Sequence, residues 1–140
     1  MHESSADLSM LNDFYMFKES LNIISRSYVT LGKPLSIEGC MSKVHIRDTA
    51  LLAPAGFGGL DKLGSIYGPD YRKVDIGDYR NGRMKDLLNE DKPLFERYAL
   101  KDSIITLKHV NSMEDFYVTL GKVGVPLTLS GIGKSYVLRE

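Results

Sequence analysis

The stretch that most constrains this chain is Lys92–His109, K-P-L-F-E-R-Y-A-L-K-D-S-I-I-T-L-K-H. Asp91 stands where a helix needs an N-cap, and Pro93 falls in the first turn, where its missing N–H costs nothing. Lys108 and His109 close the last turn, where positive charge suits the helix dipole. Phe95, Tyr98, Asp102, Ile105 and His109 recur at alternating intervals of three and four, so they share one face of a helix over 92–109. Tyr98 and Asp102 are one turn apart. An acid inside an aromatic and aliphatic stripe has two readings. It is a wetted residue at the helix edge, or a carboxylate held at a cleft beside a phenol, placed to bind a metal or orient water.

The chain has 140 residues, enough for one domain with a real core. Basic and acidic residues balance at 18 each, which argues against a dedicated nucleic-acid coat protein but leaves room for a local basic cleft. The single Cys40 excludes an intramolecular disulfide and a Cys-based zinc site. It reads as a structural thiol, since no His-bearing motif surrounds it. No apolar run approaches the roughly 20 residues of a membrane span, so no membrane partner is expected. The Met-His-Glu-Ser-Ser start has neither the pattern of a secretory signal nor that of an Arg-rich transit peptide.

Along the chain, residues 4–24 predict an amphipathic helix. Ser4 or Ser5 would cap it, and Met10, Phe14, Phe17, Leu21 and Ile24 would form its apolar stripe. Asp7 and Asp13 bracket its start, where the dipole favours acids. Residues 28–31 and 35–37 have β character. Residues 43–49 alternate cleanly, with Val44 and Ile46 on one face, and predict a strand paired antiparallel with 28–31 or 35–38. Asp48 at its end is either a turn former or a functional group. Gly56, Gly58 and Gly59 fit no phosphate-loop spacing and predict a loop before a short helix, Leu60–Tyr67, which Gly68-Pro69 stops.

Residues 69–91 form the polar segment, with a short helix near Met84–Leu88. The segment is a solvated loop, or it tracks a phosphodiester backbone. In the second reading Arg72, Lys73, Arg80, Arg83 and Lys85 take phosphates, and Tyr71 and Tyr79 offer rings for base stacking. Ser112 predicts the start of another helix, which Val125-Pro126 ends. Gly131–Ser135, G-I-G-K-S, is not a P-loop: the position of its first glycine is Thr128, and too little chain follows Ser135 for the phosphate-binding helix.

Tyr98-x-x-x-Asp102, within R-Y-A-L-K-D-S-I-I-T-L-K-H, resembles the third exonuclease motif of family B DNA polymerases. The order agrees as well: H-I-R-D-T-A-L-L-A-P-A-G, then G-L-D-K-L-G-S-I-Y-G, a charged loop and the Tyr/Asp helix. The S-A-D-L-S-M-L-N-D-F opening and the closing G-V-P-L-T-L-S-G-I-G-K-S-Y-V are similar to the protein-primed branch carried by mitochondrial linear plasmids.

The resemblance implies an α/β fold, a partial ribonuclease-H-like exonuclease domain that is helix-rich with a short antiparallel sheet. It places the exonuclease-like part at 1–110 and a connecting helix, leading toward the polymerase palm, at 111–140. Asp102 would be a ligand of Mg²⁺ or Mn²⁺ and Tyr98 would position the attacking water. Asp7 would be the second carboxylate, with Asp13 the next candidate, although the Asn-x-x-Phe-Asp context usual for it is absent. The first motif, Asp-x-Glu, is expected upstream of Met1 and the palm beyond Glu140. The expected partners are DNA and the remainder of the polymerase, the expected compartment is the mitochondrion, and the isolated chain is expected to be inactive. Two other functions are compatible with the residues: a non-enzymatic single-strand-binding domain built on 71–85, and a helical interaction protein.

Overall fold

Short elements precede long ones in this chain. The structure, a computed structural model, describes residues 4–24, 27–31, 35–37, 40–42, 45–80 and 82–138. In order they form α1 (Ser4–Ser9), α2 (Phe14–Phe17), a 3-10 turn (Lys18–Ser20) and the strands β1 (Leu21–Ile24), β2 (Ser27–Leu31), β3 (Leu35–Ile37) and β4 (Cys40–Ser42). A 3-10 turn follows at Thr49–Leu52, then α3 (Leu60–Ser65), 3-10 turns at Pro69–Tyr71 and Gly77–Arg80, α4 (Met84–Glu90), α5 (Lys92–Thr119) and α6 (Leu129–Val137). The chain is helix-rich. Its described strands make two separate two-stranded antiparallel ladders, β1 with β2 and β3 with β4.

The chain divides into two compact units. One comprises Met1–Pro54 with Val110–Glu140, the other Ala55–His109. In the first unit the 4–24 helix is not continuous. Asn12 and Asp13 lie where the helix breaks, and such side chains compete with the backbone for hydrogen bonds. Turn bonds from Met10 N to the Asp7 carbonyl and from Phe14 N to that of Leu11 replace the helical ladder. The β-branched Ile23 and Ile24 then join β1, which pairs with β2 from Leu21↔Leu31 to Ile24↔Ser27 with an irregularity after Asn22. The apolar stripe is divided accordingly. Leu8 and Leu21 are buried with Phe14 and Ile46 against them, whereas Met10 is 83% exposed. The side chains of Phe17 and Ile24 lie outside the described set.

The predicted partner of 43–49 is also displaced. β2 pairs with β1, and β3 with β4, each with its nearest neighbour in sequence, where loop closure costs least. Lys43 and Val44 lie outside the described residues, and His45 makes only an isolated bridge. Asp48 is a turn former: its Oδ1 accepts from Ala50 N at 3.0 Å and caps the Thr49–Leu52 turn. Arg47 Nε donates to the Val125 carbonyl at 2.8 Å. Thr128 caps α6 by accepting from Gly131 N, so Gly131–Ser135 lies within a helix and forms no loop around a phosphate.

The second unit is organised by one junction. Asp91 ends α4 in a non-helical conformation, and its Oδ1 accepts from Leu94 N at 3.0 Å to cap α5. That cap, and Pro93 beside it, are as the sequence predicts. The helix does not stop at His109. Val110 and Asn111 offer nothing to break it, so the cap signal of Ser112 is overridden and α5 runs 28 residues. It ends where Gly121 adopts a left-handed φ of 72°. Lys122 N then bonds to the Tyr117 carbonyl and Gly121 N to that of Val118, the paired bonds of a Schellman cap.

The core of this unit is Leu63 of α3, Leu87 of α4 and Ile105 of α5, all fully buried, with Ile76 nearly so. Each such side chain contributes about 1.5–3 kcal/mol by leaving water. Gly64 lets α3 lie close: a Cβ there would collide with the Tyr71 carbonyl and press on Ile105 Cδ1 at 3.2 Å. His109 is buried, and the Tyr67 hydroxyl meets its Nδ1 at 2.7 Å. Leu60–Tyr67, predicted as a helix, is helical only to Ser65, and Ile66 is 47% exposed.

Candidate functional site

Helical spacing places Tyr98 and Asp102 on one face of α5, and the segment between the two 3-10 turns of the second unit brings Lys73 to both. Lys73 Nζ donates to Tyr98 Oη at 2.9 Å and meets Asp102 Oδ2 at 3.0 Å. It also lies 4.7 Å from the centroid of the Tyr98 ring. The Lys73 and Asp102 side chains are only about a quarter exposed, at 24% and 26%. Asp102 Oδ1 is buried with no hydrogen-bond partner among the described residues. Burial works against the Lys73 ammonium, but its hydrogen bonds to Tyr98 and Asp102 and the charge of the carboxylate outweigh it. The net result is a pKa raised above 10.5, so the lysine is a cation at any physiological pH.

Backbone ties hold this segment in place. Asp61 of α3 accepts from Lys73 N at 3.2 Å, and Lys101 Nζ of α5 donates to the Asp70 carbonyl at 2.9 Å. Beside the triad lies an open cleft of about 290 Å³ lined by Asp61, Lys73, Val74, Ile76, Arg80, Met84 and Tyr98. Its lining mixes the apolar Val74, Ile76 and Met84 with charges of both signs.

The residues expected to follow a phosphate backbone divide into three groups. Lys73 and Arg80 share the cleft. Arg72 is exposed and pairs with Asp61 at 3.6 Å. Arg83 pairs with Asp86 at 2.9 Å and lies 5.3 Å from the Tyr79 ring centroid, outside the cleft lining. Arg80 itself is bridged to Asp75 at 2.9 Å. Hydrogen bonding from Gly77 N, then the Arg80 charge, hold the Asp75 carboxyl below its usual value. Each of these cations therefore already has an acid beside it. The exposed pairs are weak and open at little cost. Tyr71 is half-buried with its ring edge-on to Tyr67, centroids 5.9 Å apart, so it is not a free stacking platform.

Asp7 sits in α1 of the first unit, on an exposed face. The second unit contributes Asp102 alone to the proposed ligand set. Among the described residues no group of three or more His, Cys, Asp or Glu is placed to hold a metal. The residues around Asp102 fit a divalent cation poorly, because an ammonium already occupies the oxygen that would coordinate it. Sequence reasoning placed Lys73 among the phosphate-binding residues and gave no hint that it joins Tyr98 and Asp102. A lysine in a mixed charge run, 25 residues before the tyrosine, carries no periodic signal. Asp61, Val74, Ile76 and Met84 were missed for the same reason: only the turn at Gly68-Pro69 and the loops after it bring them to α5.

Comparison of the chain with protein-family profiles, with curated proteins and with solved structures found no match to any of the three.

Proposed function

We propose that this chain is part of the exonuclease region of a family B, protein-primed DNA polymerase of the mitochondrial linear-plasmid type. Its Tyr98–Asp102 pair is then the third exonuclease motif, in a partial ribonuclease-H-like domain. The observation that carries this reading is the Tyr98–Asp102 pair one turn apart on α5, joined by Lys73, with Tyr98 lining a charged cleft that could receive a DNA 3′ end. The ordered sequence resemblance supports it independently. In the complete family site, carboxylates hold Mg²⁺ or Mn²⁺ ions that activate water and stabilise the leaving oxygen. Here Asp102 is paired with Lys73, so on this reading the chain alone does not cleave DNA.

The test extends the chain with an upstream Asp-x-Glu strand from its own reading frame and measures Mg²⁺-dependent release of nucleotides from a 3′ end. The extended protein should cleave single-stranded DNA and lose that activity with Asp102→Ala, while the 140-residue chain stays inactive. Cleavage by the extended protein that ignores Asp102 and Tyr98 would sink the assignment.

A second reading is favoured by the cleft itself. Lys73, Arg80 and Tyr98, lining the cleft with Val74, Ile76 and Met84, would bind single strands without chemistry. Salt-dependent binding that survives Asp102→Ala and falls with Arg80→Ala would support it.

A further inference from the structure

Asp102 is the acidic side chain of the second unit that the resemblance assigns to the proposed exonuclease site, and its environment is not that of a metal ligand. A divalent cation needs hard oxygens in number, enough negative charge to offset its dehydration, and room for the waters it keeps. Asp102 supplies one carboxylate. Its Oδ2 faces an ammonium at 3.0 Å, and its Oδ1 is buried. The Tyr98 hydroxyl, the other oxygen at hand, accepts from that same ammonium at 2.9 Å. The ammonium is not a passing contact. The Lys73 backbone is fixed by Asp61, and the Lys101–Asp70 bond holds the segment against α5 a few residues away.

We propose that Lys73 is a resident counter-cation that occupies Asp102 in place of a divalent metal, making Tyr98, Lys73 and Asp102 a closed, metal-independent clamp. The inference rests on the exonuclease reading only for the identity of the ion displaced. The clamp itself follows from the geometry. A dication approaching Asp102 meets a fixed positive charge at contact distance and a carboxylate already neutralised. To bind, it must expel the ammonium and break three interactions at once: the ion pair, the phenol hydrogen bond and the contact of the ammonium with the ring. The 140-residue chain is thus shut by its own side chain, and the carboxylates of an added Asp-x-Glu strand would be needed to draw a dication in against Lys73. The same bonds fasten the segment between the 3-10 turns to α5.

The experiment is a titration of the full chain with Mn²⁺, reading paramagnetic broadening of the Asp102 and Tyr98 NMR signals against those of the exposed Asp75 and Asp78. In the native protein Asp102 should broaden no earlier than these exposed carboxylates. In Lys73→Met, Asp102 should broaden at an Mn²⁺ concentration lower by about tenfold or more, because a unit charge at contact distance is worth at least that factor in a partly screened site. Asp102→Asn in the Lys73→Met background should abolish the gain.

The Lys73 side-chain ¹⁵N signal gives a second measurement that needs no variant and should not move as Mg²⁺ is added to millimolar levels. Selective early broadening of Asp102 in the native chain, displacement of the Lys73 signal by Mg²⁺, or a folded Lys73→Met protein that gains nothing would each overturn the proposal. Should the polymerase assignment fail in the nuclease test, these outcomes would be unaffected. Should the clamp fail, the nuclease test would still stand.

Discussion

Lys73 shows how a single side chain sets the character of a site. Its raised pKa means that the ammonium stabilises the folded state. The contribution is fully present below the unfolded value of 10.5 and is lost as pH rises through the higher folded value. Thermal melts of the native chain and of Lys73→Met should therefore differ by a constant amount at neutral pH and converge as the pH rises through the raised folded value of the lysine. A difference that persists into strong alkali would show that the lysine acts through its aliphatic stem and not its charge. Gly64 makes a second argument at this scale. Glycine to alanine within a helix usually stabilises, because glycine has the more costly backbone entropy. Here the sign reverses, since the added methyl would meet the Tyr71 carbonyl and Ile105. Gly64→Ala should cost about 1–3 kcal/mol by overpacking, read from a urea midpoint.

At the scale of elements, legibility followed the range of the interaction that decided each one. The start of α5 was readable because Asp91 and Pro93 act on the next three residues. The helix at 84–90 was readable for the same reason, and so was the failure of Gly131–Ser135 as a phosphate loop. The 4–24 segment was not. Its stripe satisfies a helical period as far as Ile24, yet pairing of Leu21–Ile24 with Ser27–Leu31 wins once a neighbouring strand is available. Ser112 misled in the opposite sense: a capping residue starts a helix only where the chain is not already helical. The Asp91 junction is the most exposed to mutation, because one residue both ends α4 and caps α5. Asp91→Ala should cost about 1 kcal/mol, seen as a lower melting temperature, with early hydrogen exchange at Leu94 N as its local mark. Unchanged exchange there would mean the cap is idle.

On the scale of the whole molecule, α5 contributes residues to both compact units, from Lys92 to His109 in one and from Val110 to Thr119 in the other. The sequence division near residue 110 thus falls in mid-helix. The candidate site needs only the second unit, and half of it was legible: Tyr98 and Asp102 came from helical spacing, whereas Lys73 required the fold. Two lysines fasten the segment between the turns to α5 in opposite directions. Lys73 reaches from the segment to the helix, and Lys101 from the helix to the Asp70 carbonyl. Their amines are therefore spoken for, unlike those of the exposed Lys62 and Lys85. Brief acylation followed by peptide mapping should modify Lys62 and Lys85 first and Lys73 last, and equal labelling of all four would mean that the fastening does not hold in solution. Once acylated, Lys73 would lose its charge and with it the hold on Asp102. Lysine acetylation, whatever its source, would thus release a strap that no change of metal concentration could loosen.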